Sequence, residues 1–436
     1  MVNKVIKETS FKKFLLYLTI ISGFFGCAFL QYDLGPFSIF PFRIFLIVLW
    51  FFFILSILLS KGKLNISQIK AKNYLLFLGI WLFYAILSLG WADYPVDAIR
   101  HIVFLFMGCS LIFFAVFYFN QLKDLNRFYF IWIIITISLM GIGLWEVFTG
   151  NHLPNSNYFG ATRSNYKFFP SSVFANTNNF AAFLSLSMPF VWAWMRYGER
   201  KWLNKIIGIP LLAIAFFSLA KTSSRANFLA IALEIFFIFF FLFRLRRRIR
   251  IGFSIGLIII LSFIFLPQIP LKIFHRTYGF LKGFTTPYAL TSGSTIVRIN
   301  LIKNSFYFFV THFGLGVGTG NIEYHIEHFA RYPTFGLTNP HNWWVEILAD
   351  YGMFIFIGYL FFYFGLIYNL WKIWHKIKIT NRQEKMICEA LLIALIGFSF
   401  ASISPSSIMA SEYHWIFFTF VLAFLNYFRL KSISRV

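Results

Sequence analysis

Long apolar runs separated by short polar gaps follow one another along the whole chain. A helix that crosses a membrane needs about 20 mostly apolar residues, and the pattern predicts twelve such helices. The predicted spans are 14–31, 38–60, 74–91, 100–119, 128–148, 175–195, 204–220, 226–243, 251–268, 343–370, 386–404 and 412–428. The sequence therefore predicts an all-α polytopic membrane protein in which residues 1–436 form one integral membrane domain.

The 39 lysines and arginines fall mostly in every second gap between these runs and at both ends of the chain. The gaps at 244–250 and 372–385 are two examples. Cytoplasmic loops of membrane proteins carry an excess of Lys and Arg, so we expect a multi-pass membrane protein with both termini in the cytoplasm. The alternate gaps, among them 149–171 and 269–342, then face outward.

Composition narrows the class further. Charged residues make up 12% of the chain and hydrophobic residues 59%, whereas a soluble domain carries roughly 25% charged residues. A soluble globular chain and a disordered chain are both excluded. The three cysteines lie in apolar runs, which excludes a disulfide scaffold. The net charge of +24 is spread over the gaps instead of one face or tail, so nucleic acid is not an expected partner.

The stretch 269–342 is the longest segment that contains no predicted span. Loops of this length are uncommon and usually functional. This one departs from the orientation rule because it is rich in cations: Lys272, Arg276, Lys282, Arg298, Lys303 and Arg331. Two interpretations stay open, an anionic ligand on the outer face, or a long loop that translocates regardless of its charge.

A second pair of outer cations, Lys221 and Arg225, flanks the hydroxyl residues 222–224 where the eighth span begins. A helix start offers free backbone N–H groups, so together with an arginine it suits an anion. The alternative is anchoring at the bilayer surface by snorkelling side chains.

The segment that begins at Ser294 has the spacing of an amphipathic helix, with Ser294 as its N-cap and Arg298 turned inward. The apolar face would hold Ile299, Ile302 and Phe306. The planar guanidinium of Arg298 can donate two hydrogen bonds to one phosphate. The glycine-rich turn 314–321 that follows lacks the lysine of a nucleotide-binding loop. We therefore expect it to allow close approach of the backbone to a neighbour or a ligand.

A Pro-His-Asn sequence at 340–342 opens the tenth predicted span, and Asn342, Glu346 and Asp350 recur on one face of it. His341 thus lies at the outer mouth of the bundle. A single histidine can be structural, but a neutral imidazole with a pKa near 6.5 also suits proton transfer.

Two further groups of polar residues carry weaker signals. His325 and His328 lack a full set of metal ligands, so no metal is expected. Glu234 lies in the middle of a predicted span, where a carboxylate is costly in lipid, so we expect it to face the bundle interior.

Four of these segments, in this order, resemble the O-antigen ligase and O-antigen polymerase superfamily, which includes capsule and teichuronic acid polymerases. They are the Asn-rich entry to the sixth span at 174–181, the turn at Ser224 and Arg225, Arg298 ahead of the glycine-rich turn, and His341 at the start of a helix with Glu346. The resemblance covers about residues 170–370.

The resemblance implies a metal-independent glycosyltransferase without a cofactor, whose site faces outward. Its donor would be a glycan on undecaprenyl diphosphate in the membrane, and its acceptor a sugar hydroxyl of a second glycan. Arg225 and Arg298 match the family's diphosphate-binding arginines, and His341 matches its essential histidine. Displacement by the acceptor would invert the anomeric centre. His341 is then the candidate general base or acceptor-orienting group.

From the residues themselves we add three candidates to this set. Lys221 and Arg276 are further phosphate contacts, and Glu346 is a group that holds the histidine or the acceptor in place.

Several alternatives stay open. A polymerase and a ligase differ only in the acceptor, and polymerase is preferred as the broader class. A separate chain-length regulator stays open as a partner. The rival from another class is a twelve-helix flippase or transporter of lipid-linked glycans. Transporters usually show paired half-repeats and broken helices with a site near the midplane, neither of which is evident in this sequence.

Overall fold

The computed structural model describes residues 2–35, 37–59, 66–160, 167–250, 253, 294–406 and 408–433. Its helices are α1 (Val2–Phe25), α2 (Pro41–Leu59), α3 (Lys72–Leu87), α4 (Pro95–Tyr118), α5 (Leu122–Thr149), α6 (Thr177–Tyr197), α7 (Lys201–Thr222), α8 (Arg225–Phe237), α9 (Ser294–Thr311), α10 (Ile322–Phe329), α11 (Trp343–Lys376), α12 (Arg382–Ala401) and α13 (Glu412–Ile433). A short antiparallel hairpin, β1 (Tyr32–Leu34) with β2 (Phe37–Ile39), pairs Asp33 with Ser38.

The helices confirm the predicted all-α polytopic class. Eleven of the twelve predicted spans coincide with a helix, and the span predicted at 251–268 lies outside the described residues. In the described part of the chain, nine helical segments are long and apolar enough to cross a membrane. The multi-pass membrane character of the protein follows from their number.

The helices α6 and α12 are long but more polar than those nine, because they pack against each other and against further helices instead of lipid. Fifteen of the twenty residues of α12 are buried. Its Glu389 accepts hydrogen bonds from Arg196 of α6 at 2.8 Å and from Tyr197 at 2.7 Å. Glu234 of α8 is also buried, against Gly397 of α12, which confirms that it faces the bundle interior. Polar groups inside a membrane are tolerated where protein surrounds them.

Stacked aromatic rings fix the packing of the central helices. The ring of Trp132 in α5 stacks on Phe190 of α6 with centroids 4.7 Å apart. The ring of Phe128 stacks on Phe420 of α13 at 4.2 Å. Such pairs add stability beyond their buried area and have preferred geometries, so they set the relative position of α5, α6 and α13.

The helix α11 is broken at Gly352, where φ is 73° and ψ is −176°. The glycine-rich turn before α10 fills the break: the Val317 N–H donates to the Ala349 carbonyl at 2.8 Å, and the Met353 N–H donates to the Gly314 carbonyl at 2.9 Å. A Cβ on Gly316 would lie 2.6 Å from the Asp350 carbonyl oxygen. The expected close approach of backbone is thereby confirmed, with a neighbouring helix as the partner. The continuous helix predicted at 343–370 is corrected to two helical halves.

A helix, α9, spans Ser294–Thr311 in the segment where an amphipathic helix was predicted, but its packed face differs from the predicted one. Val297, Leu301 and Phe308 are buried in a small cluster with residues of α10 and α11. Ile299 and Phe306, from the predicted apolar face, are 41% and 51% exposed. Both faces of α9 are apolar, and the spacing of apolar residues alone could not tell which one meets protein.

Candidate functional site

The loop 402–406, which links α12 to α13, joins separate parts of the chain at one end of the bundle. Two of its contacts are with the Asn-rich start of α6. The Ser404 hydroxyl donates to Asn178 Oδ1 at 2.7 Å, and Asn176 Nδ2 donates to the Ser406 hydroxyl at 2.8 Å. Asn176 is also the N-cap of α6, because its Oδ1 accepts from the Asn179 N–H at 3.0 Å. The asparagine side chains of this segment therefore join α6 to the loop 402–406, and one of them also caps α6.

The same loop contacts the turn between α7 and α8. Ser223 has a left-handed backbone with φ of 57°, which reverses the chain sharply. Ser224 Oγ lies 3.1 Å from Ser404 Oγ and accepts from Asn227 Nδ2 at 2.9 Å. The Ser185 hydroxyl of α6 donates to Asn227 Oδ1 at 2.9 Å. A continuous hydroxyl and amide network thus holds the start of α8 against α6 and the loop 402–406.

The two predicted cations of this turn occupy different environments. Arg225 is the first residue of α8 and is exposed. It therefore adds a positive charge at a helix start, whose free backbone N–H groups also suit an anion. Lys221 is exposed in the last turn of α7, and its Nζ lies 5.5 Å from the centroid of the Phe217 ring. Of the two, only Arg225 has a described electrostatic link to another predicted site residue.

The backbone of His341 lies between Asn339, which accepts a hydrogen bond from it, and Asn342, which caps α11. Its φ is 50°, in the left-handed region that only a few per cent of residues other than glycine adopt. Its N–H donates to Asn339 Oδ1 at 2.7 Å, and Asn339 Nδ2 donates to Glu323 of α10 at 2.6 Å. The next residue, Asn342, is the N-cap of α11 and accepts from the Trp344 N–H at 3.2 Å. The strained backbone conformation of this turn therefore sets the direction in which the His341 side chain points.

The imidazole of His341 lies against the loop 402–406 and feels the charge of Arg298. Burial lowers the pKa of His341, the positive charge of Arg298 lowers it further, and backbone hydrogen bonds to Pro405 and Ser404 partly offset both effects. Its Nδ1 atom is buried and has no hydrogen-bond partner among the described residues. The ring is therefore neutral at neutral pH and has a nitrogen that can accept a proton.

Arg298 is half-buried and has a second cation close by. Burial lowers the pKa of Arg298, and the positive charge of Arg225 lowers it further. Arg298 thus acts electrostatically on His341 and is acted on by Arg225. Residues that lie 73 and 43 positions apart in the sequence therefore interact electrostatically at one end of the bundle.

The predicted polar stripe on α11 divides into different roles. Asn342 caps the helix, and Glu346 is buried one turn further on, where its N–H donates to the Asn342 carbonyl at 2.9 Å. Asp350 is buried, and its Oδ1 accepts from the Ile322 N–H at 2.9 Å, at the start of α10. Asp350 thus fastens α10 to α11, whereas Glu346 lies on the turn that follows His341.

The remaining predictions concern Arg276 and metal binding. Arg276 lies outside the described residues. His325 Nε2 lies 3.1 Å from Asp93 Oδ2, while His328 is exposed and its Nδ1 lies 2.9 Å from the Tyr324 carbonyl oxygen. In the part of the chain that the structure describes, no group of three His, Cys, Asp or Glu side chains could hold a metal ion.

Ser404, Pro405 and Ser406 were not predicted as site residues. The eleventh span was predicted to end at residue 404, which left only a short turn after it. The helix α12 ends earlier, at Ala401. The serine-rich run 402–407, which contains a proline and lies between two apolar helices, was the available signal.

This arrangement defines an integral membrane protein with a cationic, histidine-containing site at one end of its helical bundle. Residues 210–360 match the family model described as O-antigen ligase. Teichuronic acid biosynthesis protein TuaE of Bacillus subtilis (strain 168) is 35% identical over 426 residues, which cover 95% of this chain and 84% of that protein. The chain belongs to the O-antigen ligase and O-antigen polymerase superfamily, and so is a glycosyltransferase-type enzyme of cell-envelope polysaccharide synthesis.

The similarity to known proteins extends beyond residues 170–370, the range over which the sequence motifs resemble the family. The family model includes Arg225, Arg298, His341 and Glu346, and the relative aligns with nearly the whole chain.

Proposed function

We propose that the protein is a polysaccharide polymerase that transfers a glycan from undecaprenyl diphosphate to a sugar hydroxyl of an acceptor glycan. The reaction takes place at the outer face of the cytoplasmic membrane, with both termini in the cytoplasm and the loop 269–342 contributing part of the site. The observation that carries the proposal is the electrostatic chain from Arg225 through Arg298 to His341.

The two arginines suit a diphosphate. The positive charges of the half-buried Arg298 and the exposed Arg225 repel each other, and an anion bound between them would relieve that repulsion. In the reaction, the bond between the anomeric carbon and the diphosphate oxygen breaks, and that oxygen leaves with the electron pair. Arg298 and Arg225 stabilise the charge that builds up there, a role for which the protein needs no metal ion. Lys221 and Arg276 supply further contacts to the same diphosphate.

His341 supplies the proton transfer. Its neutral imidazole accepts the proton of the acceptor hydroxyl while that oxygen forms the new bond to the anomeric carbon. The burial and the Arg298 charge that lower its pKa also keep it neutral, and therefore basic, at neutral pH. Attack opposite to the leaving diphosphate inverts the anomeric centre. Glu346, buried on the following helical turn, keeps the histidine or the acceptor in position.

The substrates follow from this chemistry. The donor is a lipid-linked glycan that reaches the site from the membrane, and the acceptor is a second glycan with a free sugar hydroxyl. The name of the B. subtilis relative supports a glycan of the teichuronic acid kind. A separate protein that regulates chain length would be an additional partner.

The test uses the full-length protein in lipid nanodiscs with an undecaprenyl-diphosphate oligosaccharide, and resolves the products by mass. We expect a ladder of longer lipid-linked glycans that persists in EDTA and disappears with His341→Ala. The matched control is His375→Ala, an exposed histidine near the other end of α11, which should leave the ladder unchanged.

Each other outcome has a definite meaning. Transfer to a different added acceptor without a ladder would make the protein a ligase. A ladder that survives His341→Ala would refute the catalytic role of this histidine. If no glycan is transferred and the donor instead moves across the bilayer, the protein is a transporter and the proposal fails.

A further inference from the structure

A cavity of about 220 Å³ opens next to the candidate site. It lies between the end of α1, the start of α6 and the segment that leads into α13, and Ser406 forms part of its wall. Ser406 also accepts the hydrogen bond from Asn176 described above. The cavity and the candidate site therefore share the loop 402–406.

The cavity wall includes buried hydrogen-bond acceptors that lack partners among the described residues. Asn179 is 9% exposed, and its buried Oδ1 has no hydrogen-bond partner among the described residues. Asn155 uses its Nδ2 to donate to the Val173 carbonyl at 2.6 Å, while its buried Oδ1 likewise has no described partner. The carboxylate of Glu412 supplies a third group of acceptors on the cavity wall. Buried acceptors that lack partners are costly, so a ligand that brings donors would be favoured.

The rest of the wall is largely aromatic. Phe174 and Tyr413 meet edge to face with centroids 5.4 Å apart, and Phe24 lines the cavity beside them. A ligand that suits this wall has an apolar face as well as several O–H donors. A pyranose ring has both, because its C–H groups form an apolar face and its hydroxyls lie around the rim.

We propose that this cavity binds one pyranose unit of the glycan that enters the candidate site. This inference rests on the proposed function, because it takes a glycan as the substrate. The amide oxygens of Asn155 and Asn179 and the carboxylate of Glu412 accept hydrogen bonds from the sugar hydroxyls, and the aromatic wall packs against the ring.

The test measures binding of methyl β-glucopyranoside to the full-length protein in nanodiscs by saturation-transfer NMR. We expect saturable binding to the wild-type protein. Asn179→Leu removes a buried hydrogen-bond acceptor and keeps a similar volume, so it should bind the glycoside about tenfold more weakly.

A second variant fills the cavity without changing its polar groups. Ala410 lines the cavity, so Ala410→Phe should abolish binding of the glycoside. Ala213→Phe, which adds the same bulk to an exposed position of α7, is the matched control and should bind normally. The assignment is overturned if Ala410→Phe binds as the control does, or if Asn179→Leu binds as the wild-type protein does.

The binding test does not depend on glycan transfer. Probe binding that follows these expectations in a protein without transferase activity would remove the proposed function but leave the sugar site. Normal polymer formation by Ala410→Phe, with elongation rate and chain length unchanged, would remove the sugar site but leave the proposed function.

Discussion

Ser404 Oγ lies 3.1 Å from Ser224 Oγ, although 180 residues separate the two serines in the sequence. Through this contact, the loop that carries the backbone partners of His341 touches the turn that begins with Lys221 and ends at Arg225. The positions of His341 and Arg225 therefore depend on each other. Changes in the loop 402–406 or in the turn 221–225 should affect the same reaction.

The lowered pKa of His341 predicts the shape of the pH–rate profile. In the proposed mechanism the neutral imidazole is the active form, so transfer should fall only when the pH drops through its pKa. The acid limb should therefore have its midpoint below the ordinary histidine value of about 6.5, and the rate should stay near its maximum at pH 7. Steady-state transfer rates between pH 4.5 and 8 measure this midpoint. A midpoint at or above the ordinary value would contradict the assignment.

Arg298 provides a further test of the same link. Arg298→Gln removes the positive charge that lowers the pKa of His341, so the midpoint of the residual activity should move to higher pH. Arg298→Lys keeps the charge and should leave the midpoint nearly unchanged. Identical midpoints for the Gln and Lys variants would show that the charge does not act on the histidine.

The rate of Arg298→Lys tests the contact with the diphosphate. Lysine cannot reproduce the planar fork of arginine, so we expect the rate at saturating donor to fall ~10- to 100-fold, within the range of lost transition-state contacts. Single-turnover kinetics with the lipid-linked donor measure the loss. A variant with the full wild-type rate would leave Arg298 as a general electrostatic group.

The hydrogen bonds of Ser404 should contribute more to activity and stability than those of a serine hydroxyl that bonds only within its own helix. Ser404→Ala removes the donor to Asn178 and the contact with Ser224, and an unsatisfied buried group costs about 1–3 kcal/mol. We expect lower transfer activity together with a lower melting temperature. Ser399→Ala is the control, because its hydroxyl donates only locally, to the Ile396 carbonyl at 2.8 Å. Equal effects of the two changes would argue against a special role for the loop 402–406.

Gly352 should be intolerant of any side chain. Its φ of 73° alone costs alanine about 1–3 kcal/mol, and an added Cβ would also collide with the backbone of Gly314 and Leu315. Gly352→Ala should therefore lower the melting temperature or the yield of folded protein strongly. Gly79→Ala in α3 has open space around the new Cβ and should be neutral or slightly stabilising. Size-exclusion profiles and thermal unfolding in detergent compare the two.

Much of this molecule could be predicted from local patterns. Apolar runs long enough to cross a bilayer are a property of the sequence itself, so the positions of eleven helices and the membrane class followed directly from them. Burial of Glu234 followed from the cost of a carboxylate in lipid. Arg225, Arg298 and His341 stood out because cations and histidine are unusual in segments expected to face outward.

The tertiary structure decided what the local patterns could not. That α9 packs through Val297 and Leu301 instead of Ile299 follows from which neighbours surround it, since both faces are apolar. The break at Gly352 exists because a distant turn hydrogen-bonds into the gap. The electrostatic interactions that join Arg225, Arg298 and His341 act between residues more than forty positions apart. The contacts of Ser404 with Ser224 and Asn178 likewise depend on how the helices pack. Hydrophobic spacing specifies where a helix lies along the chain, but only packing between helices determines which of their ends share one site.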